Sequence, residues 1–201
     1  DVIDVAEAEA TEDLLRFGGV SPDEELGGGW SSAVRSRLPW LYVNLFTAFL
    51  AASVVYFFQD SIAQLTALAV WMPIIAGMGG NAGTQALAVS VRRLSLGATG
   101  ASRLRSIVTK EALVGVINGA AIGLVIAMLA VLLGGQWRLG LVVFLAMTGN
   151  LFVEGFAGSF IPVMLERLGV DPAIASSIFV TTFTDVCGFG LLLGLATAIL
   201  L

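Results

Sequence analysis

IAQLTALAVWMPIIAGMGGNAGTQALAVSV, residues Ile62 to Val91, is thirty positions long and carries no charge. As one helix it would reach about 45 Å at 1.5 Å per residue, more than the roughly 30 Å of bilayer hydrocarbon, so it spans with some tilt. Gly77, Gly80, Asn81, Thr84 and Ala88 recur at i, i+3, i+4, i+7 and i+11 and form one narrow face of small and polar groups; Leu, Val, Ile and Met take the rest. Such a face suits close packing against another helix, the ordinary use of small residues at four-residue spacing, or contact with water.

The rest of the chain has the same character. Hydrophobic residues make up 57% and charged residues only 12%, in several long apolar runs, which exceeds what a soluble domain of 201 residues needs for its core. Histidine is absent and Cys187 is the only cysteine, so disulfide scaffolds, zinc clusters, soft-metal sites and cysteine–histidine catalysis have almost no material. Intramembrane aspartyl proteolysis needs two carboxylates and a Gly-x-Gly-Asp arrangement, yet Asp185 follows Thr-Phe-Thr. No Gly-x-Ser-x-Gly elbow occurs either. An enzyme is therefore not expected.

Working outward from Ile62–Val91, the pattern predicts an all-α integral membrane protein with spans at about 38–58, 62–91, 112–133, 139–165 and 173–201. These five transmembrane helices form one domain, 30–201, preceded by an acidic segment, 1–29. Pro39 and Trp40 sit at the entrance of the first span, Gln59-Asp60-Ser61 reads as a turn, and Pro73 should bend the second helix. In the third span Gly115, Gly119 and Gly123 form a close-packing stripe. Residues 1–25 hold nine acids against Arg16 alone; Thr11 before Glu12 and Asp13, then Leu14, Leu15 and Phe17 before Gly18-Gly19, reads as a short amphipathic helix or as a solvated acidic linker. With the amino terminus inside, nine of the ten lysines and arginines lie on the inner side and Arg138 alone lies outside. That sets the orientation expected in a cell inner (plasma) membrane, amino terminus cytoplasmic. The start at Asp1, without methionine, suggests a fragment with further domains upstream.

In this orientation Asp185 lies roughly fourteen residues, or about 21 Å, into the fifth helix, near mid-membrane. Asn81 and Glu154 fall at similar depth. An ionisable group there costs a few kcal/mol even on lenient insertion scales and usually faces a polar cavity or a partner. Ser177, Thr181, Thr184, Asp185 and Gly188 share one helical face, and no lysine or arginine lies at that depth in any span. Compensation must come from a cation in a water-filled path, from a proton, or from hydrogen bonds between helices. Carboxylate, hydroxyl, amide and carbonyl oxygens suit magnesium, calcium or manganese. One carboxylate is too little charge for a dehydrated divalent cage, whereas magnesium keeps its waters, so a wide path binding hydrated magnesium fits best. Two chains about a twofold axis would face two copies of Asp185, whose repulsion a divalent ion would relieve.

Three segments carry a resemblance. Met72-Pro-Ile-Ile-Ala-Gly-Met-Gly-Gly-Asn-Ala-Gly-Thr-Gln-Ala-Leu-Ala-Val89, Asp171-Pro-Ala-Ile-Ala-Ser-Ser-Ile-Phe-Val-Thr-Thr-Phe-Thr-Asp-Val-Cys-Gly188 and Glu7-Ala-Glu-Ala-Thr-Glu-Asp13 closely resemble the MgtE family of magnesium channels, the last resembling its connecting, or plug, helix. The resemblance implies a homodimer in the lipid bilayer with a magnesium pore along the twofold axis, lined by the second and fifth helices. It implies Asp185 as the pore carboxylate, with Asn81, Ser177 and Thr181 at lining positions, Thr181 through its carbonyl. Glu9, Glu12, Asp13 and Asp171 match acids that hold the cytoplasmic side shut when magnesium is plentiful, so Mg2+ is expected both as transported and as regulatory ion. Mn2+, Co2+ and Ca2+ are the other candidates. Family members usually carry an amino-terminal helical domain and paired CBS modules before the plug helix, and these 201 residues hold neither. Glu154 stands where the family pattern has a small residue; it either pairs with Asn150 one turn away or forms a second cation or proton site. The competing reading is a proton- or sodium-coupled divalent cation antiporter.

Overall fold

A computed structural model describes residues 29–96, 101–133, 136–169 and 172–201, with isolated positions 4, 5, 8, 11, 12, 15 and 20 before them; for 101 and 172–177 it describes the backbone. Among the described residues the elements are helices: α1 (Trp30–Phe57), α2 (Gln59–Gln64), α3 (Leu68–Ser95), α4 (Ala101–Leu132), α5 (Trp137–Arg167) and α6 (Pro172–Leu200). Four described stretches are long and apolar enough to cross a membrane: Trp30–Phe57, Ser102–Leu132, Trp137–Arg167 and Ile178–Leu200. α3 has the length but not the apolarity, because its glycines, Asn81, Thr84 and Gln85 dilute it.

α5 is the centre of the bundle. Val142, Val143, Ala146, Met147 and Leu151 on α5 close with Leu68 and Ile75 of α3 and Leu192 and Leu193 of α6 into one apolar core. On the other side α5 meets α4 almost backbone to backbone. A Cβ at Gly119 would come within 2.8 Å of Thr148 Cα, and one at Gly115 would overlap the Leu151 carbonyl oxygen. Gly155 answers from α5 against the carbonyl of Glu111. The expected glycine stripe is therefore a packing seam. Without a hydrophobic drive between helices in lipid, such close dispersion contact supplies much of the association. α1 lies outermost, touching mainly α6 and α2.

Three predicted boundaries differ, the simplest being α4, which begins at Ala101 rather than at 112. The first helix begins at Trp30, so Pro39 lies inside it rather than at its entrance. The second span does not run unbroken from Ile62: the turn expected at Gln59-Asp60-Ser61 is the helix α2, the chain leaves helical geometry at Leu65 (φ −128°, ψ 66°), and α3 restarts at Leu68. The physical cause is tertiary. Ser61 Oγ of α2 is hydrogen-bonded to Thr197 Oγ1 of α6 at 2.8 Å, while Leu68 and Trp71 turn into the core, and one straight helix cannot satisfy both. Thr197→Val should remove this tether and lower stability by about 0.6 kcal/mol, a typical interhelical value. Thermal unfolding in detergent measures it; an unchanged midpoint would mean that the tether does not hold α2.

Candidate functional site

Helical periodicity divides α3 into two faces. Leu68, Trp71, Ile75, Gly79, Gly83, Ala86, Leu87, Ser90 and Leu94 are buried against the bundle. Gly77, Asn81, Thr84 and Ala88 are exposed on the far side, with Gly80 half-buried beside them. A Cβ at Gly77 or Gly80 would meet nothing within 4 Å, so this surface of a single chain is open. Thr84 satisfies its hydroxyl locally, donating to the Gly80 carbonyl at 2.7 Å, and leaves Asn81 as the carboxamide of the face.

α6 packs alongside α3 through Gly83, where a Cβ would stand 3.0 Å from Val180 Cγ1. On α6 Thr181 is exposed and Asp185 half-buried, one helical turn apart. The single face expected for Ser177, Thr181, Thr184, Asp185 and Gly188 is split. Thr184 is 1% exposed and points into the bundle, as does Gly188. Its hydroxyl donates to the carbonyl of Thr181 at 2.8 Å, which satisfies it on its own helix and removes any need for a polar surface. That carbonyl is also the i to i+4 acceptor position for the Asp185 N–H within α6. Ser177 lies on the first turns of α6. Glu12 is helical and half-buried. Glu9, Asp13 and Asp171 lie outside the described residues.

Behind the open surface is a polar pair inside the bundle. Asn150 and Glu154 on α5 are both 0% exposed. The Asn150 amide Nδ2 donates to Glu154 Oε1 at 2.7 Å and to the backbone carbonyl of Ile75 on α3 at 3.0 Å. Of the two readings of Glu154, pairing with Asn150 is the arrangement present. Glu154 Oε2 and Asn150 Oδ1 have no hydrogen-bond partner among the described residues, and Asp185 lies within electrostatic range of Glu154. The i, i+4 spacing that offers the Asn150–Glu154 pair is realised here; the Ile75 carbonyl left no sequence signal.

No group of three or more His, Cys, Asp or Glu converges among the described residues. One carboxylate with neutral oxygens around it suits a cation that retains its water rather than a dehydrated one. Long apolar helices, with an exposed uncharged polar face on α3 and a half-buried carboxylate on α6, fit a polytopic membrane transport protein. The chain belongs to the MgtE family of divalent cation transporters, whose family model matches residues 72–195. That membership places it among transporters rather than enzymes.

Curated relatives agree. The chain is 35% identical over 198 residues to the magnesium transporter MgtE of Bacillus subtilis, covering 98% of this chain and 44% of the relative. It is 38% identical over 189 residues to that of Enterococcus faecalis, covering 92% and 41%. With that of Thermus thermophilus it shares 33% over 202 residues, covering 100% and 45%. The chain thus spans less than half the length of each of these relatives.

Proposed function

We propose that two copies of this chain form a magnesium channel whose path runs along a twofold axis between their α3 and α6 helices, with Asp185 holding hydrated Mg2+. The observation that carries this is the exposure of Gly77, Asn81, Thr84 and Ala88 on the outside of one chain, with Thr181 exposed and Asp185 half-buried on the neighbouring helix α6. In hydrocarbon an uncovered carboxamide and carboxylate cost several kcal/mol, about 2 to 4 on insertion and transfer scales. A second copy presenting the same face opposite closes a path in which both stay wet. α3 then makes the fifth crossing: its diluted apolarity is what a helix lining water requires.

The names of the relatives as magnesium transporters support Mg2+ as the cargo. Mn2+, Co2+ and Ca2+ share its preference for oxygen and are the competitors to test. The lysine and arginine distribution favours a cytoplasmic amino terminus in the plasma membrane. The acidic segment 1–29, with Glu9, Glu12 and Asp13, and Asp171, which precedes Pro172 in sequence, would gather regulatory Mg2+ on that side. Carboxylates brought together there repel unless divalent ions bridge them.

Reconstituted into liposomes with no other gradient, the protein should admit Mg2+ down its concentration gradient, and the flux should persist when proton and sodium gradients are collapsed. Flux that stops on collapsing either gradient would replace the channel by a coupled antiporter. No flux at all would remove the path along α3 and α6.

A further inference from the structure

The Asn150–Glu154 pair is fully buried in the bundle, and both helices assigned to the ion path rest on it. From α3, Gly79 lies against it so closely that a Cβ there would overlap Glu154 Oε1 and come within 2.7 Å of Asn150 Nδ2. From α6, a Cβ at Gly188 would come within 2.8 Å of Asn150 Oδ1 and 3.1 Å of its Cγ. One carboxamide therefore touches bare backbone on two sides and donates to the Ile75 carbonyl of α3. Gly188 is three residues, about 4.5 Å along the axis, from Asp185, and Gly79 is two residues, about 3 Å, from Asn81.

We propose that Asn150 and Glu154 are positioning residues of the ion path: Asn150 sets the separation of α3 from α6, and Glu154 fixes which way its carboxamide points. An asparagine amide offers two donors at one end and an acceptor at the other. Because both donors are taken, by Ile75 O and Glu154 Oε1, the amide end faces α3 and Oδ1 faces Gly188 of α6. Remove the Glu154 acceptor and the carboxamide has one fewer reason to keep that orientation. A rotated or missing carboxamide shifts two backbone surfaces against each other, and with them Asn81 and Asp185. With no water in the apolar layer to substitute for these bonds, the geometry is tightly set. The proposal rests on α3 and α6 being the walls of the path.

The test is Mg2+ influx into liposomes containing the intact chain, read by an internal indicator over a series of Mg2+ concentrations. Protein amounts are matched by size exclusion, so that half-saturation and maximal flux are separated. A residue that merely holds the bundle together changes how much protein folds; a positioning residue moves half-saturation in the folded fraction. Asn150→Leu, of similar volume but without hydrogen bonds, and Glu154→Ala should each shift half-saturating Mg2+ by about fivefold or more. Glu154→Gln keeps an acceptor oxygen for Asn150 and should stay within about twofold of wild type. Gly79→Ala, whose methyl would overlap Glu154 Oε1 and crowd Asn150 Nδ2, should impair flux.

Wild-type half-saturation in folded Asn150→Leu or Glu154→Ala would overturn the proposal. So would a Glu154→Gln variant as defective as Glu154→Ala. If Asn150→Leu does not assemble, the two Glu154 variants decide alone. A wild type that conducts and an Asp185→Ala that loses selectivity, beside normal Asn150 and Glu154 variants, would sink the positioning role and leave the path intact. A wild type without flux would sink the path itself.

Discussion

Replacing Asp185 by alanine should leave a chain that folds and inserts but no longer distinguishes Mg2+ from monovalent cations, with a fall in selectivity of about tenfold or more, equivalent to ~1.4 kcal/mol. Asp185 is half-buried, and no lysine or arginine occurs along α6. Its charge thus has no basic partner on its own helix. Where two such carboxylates face each other, a hydrated divalent ion gains attraction to both, whereas a monovalent ion leaves part of their repulsion in place. Removing the carboxylate removes the term that differs between the two ions. Removing it also takes a costly group out of the apolar layer, so the protein itself should be no less stable. Competition between Mg2+ and Na+ in liposome flux is the measurement. A variant that keeps the wild-type preference would show that selectivity resides elsewhere on the face, with Asn81 the next residue to examine.

The second large effect is expected far from that surface. Gly155 of α5 lies against the Glu111 carbonyl and Ala112 Cα of α4, and what a Cβ would strike there is backbone, not the end of a movable side chain. Alanine should therefore cost about 1–3 kcal/mol by overpacking. Leucine should force the α4–α5 seam apart and leave little monodisperse protein in detergent. Size exclusion and thermal unfolding of Gly155→Ala and Gly155→Leu read this directly. A leucine variant melting with wild type would mean that α4 and α5 are not in backbone contact.

Much of this was legible from residue patterns. Apolar runs longer than a bilayer is thick admit few folds besides a helical bundle in a membrane, because backbone groups in lipid must bond within their own segment. The spans expected at 139–165 and 173–201 match α5 and α6 within a few residues, and the glycines of α4 proved to be the seam their spacing suggested. Asp185 stood out because a carboxylate among apolar residues has no cheap explanation.

Other features needed neighbours in space. Periodicity names the residues that share a face but not what the face meets. Thr184 looked like a companion of Asp185, yet its hydroxyl is satisfied by its own helix at Thr181, so packing was free to turn it inward. The break between α2 and α3 depends on Thr197, more than a hundred residues away, reaching Ser61.

Gly79 and Gly188 read in one dimension as more small residues, and they became specific only when Asn150 and Glu154 filled the space their missing side chains leave. The membrane class and the aspartate standing alone in an apolar run follow from composition and spacing, because solvation by lipid acts on each segment separately; of the five spans expected, four are long apolar helices among the described residues. Which polar groups face the outside and which lock the interior follows from how three helices divide one apolar volume, and that is a property of the assembled bundle.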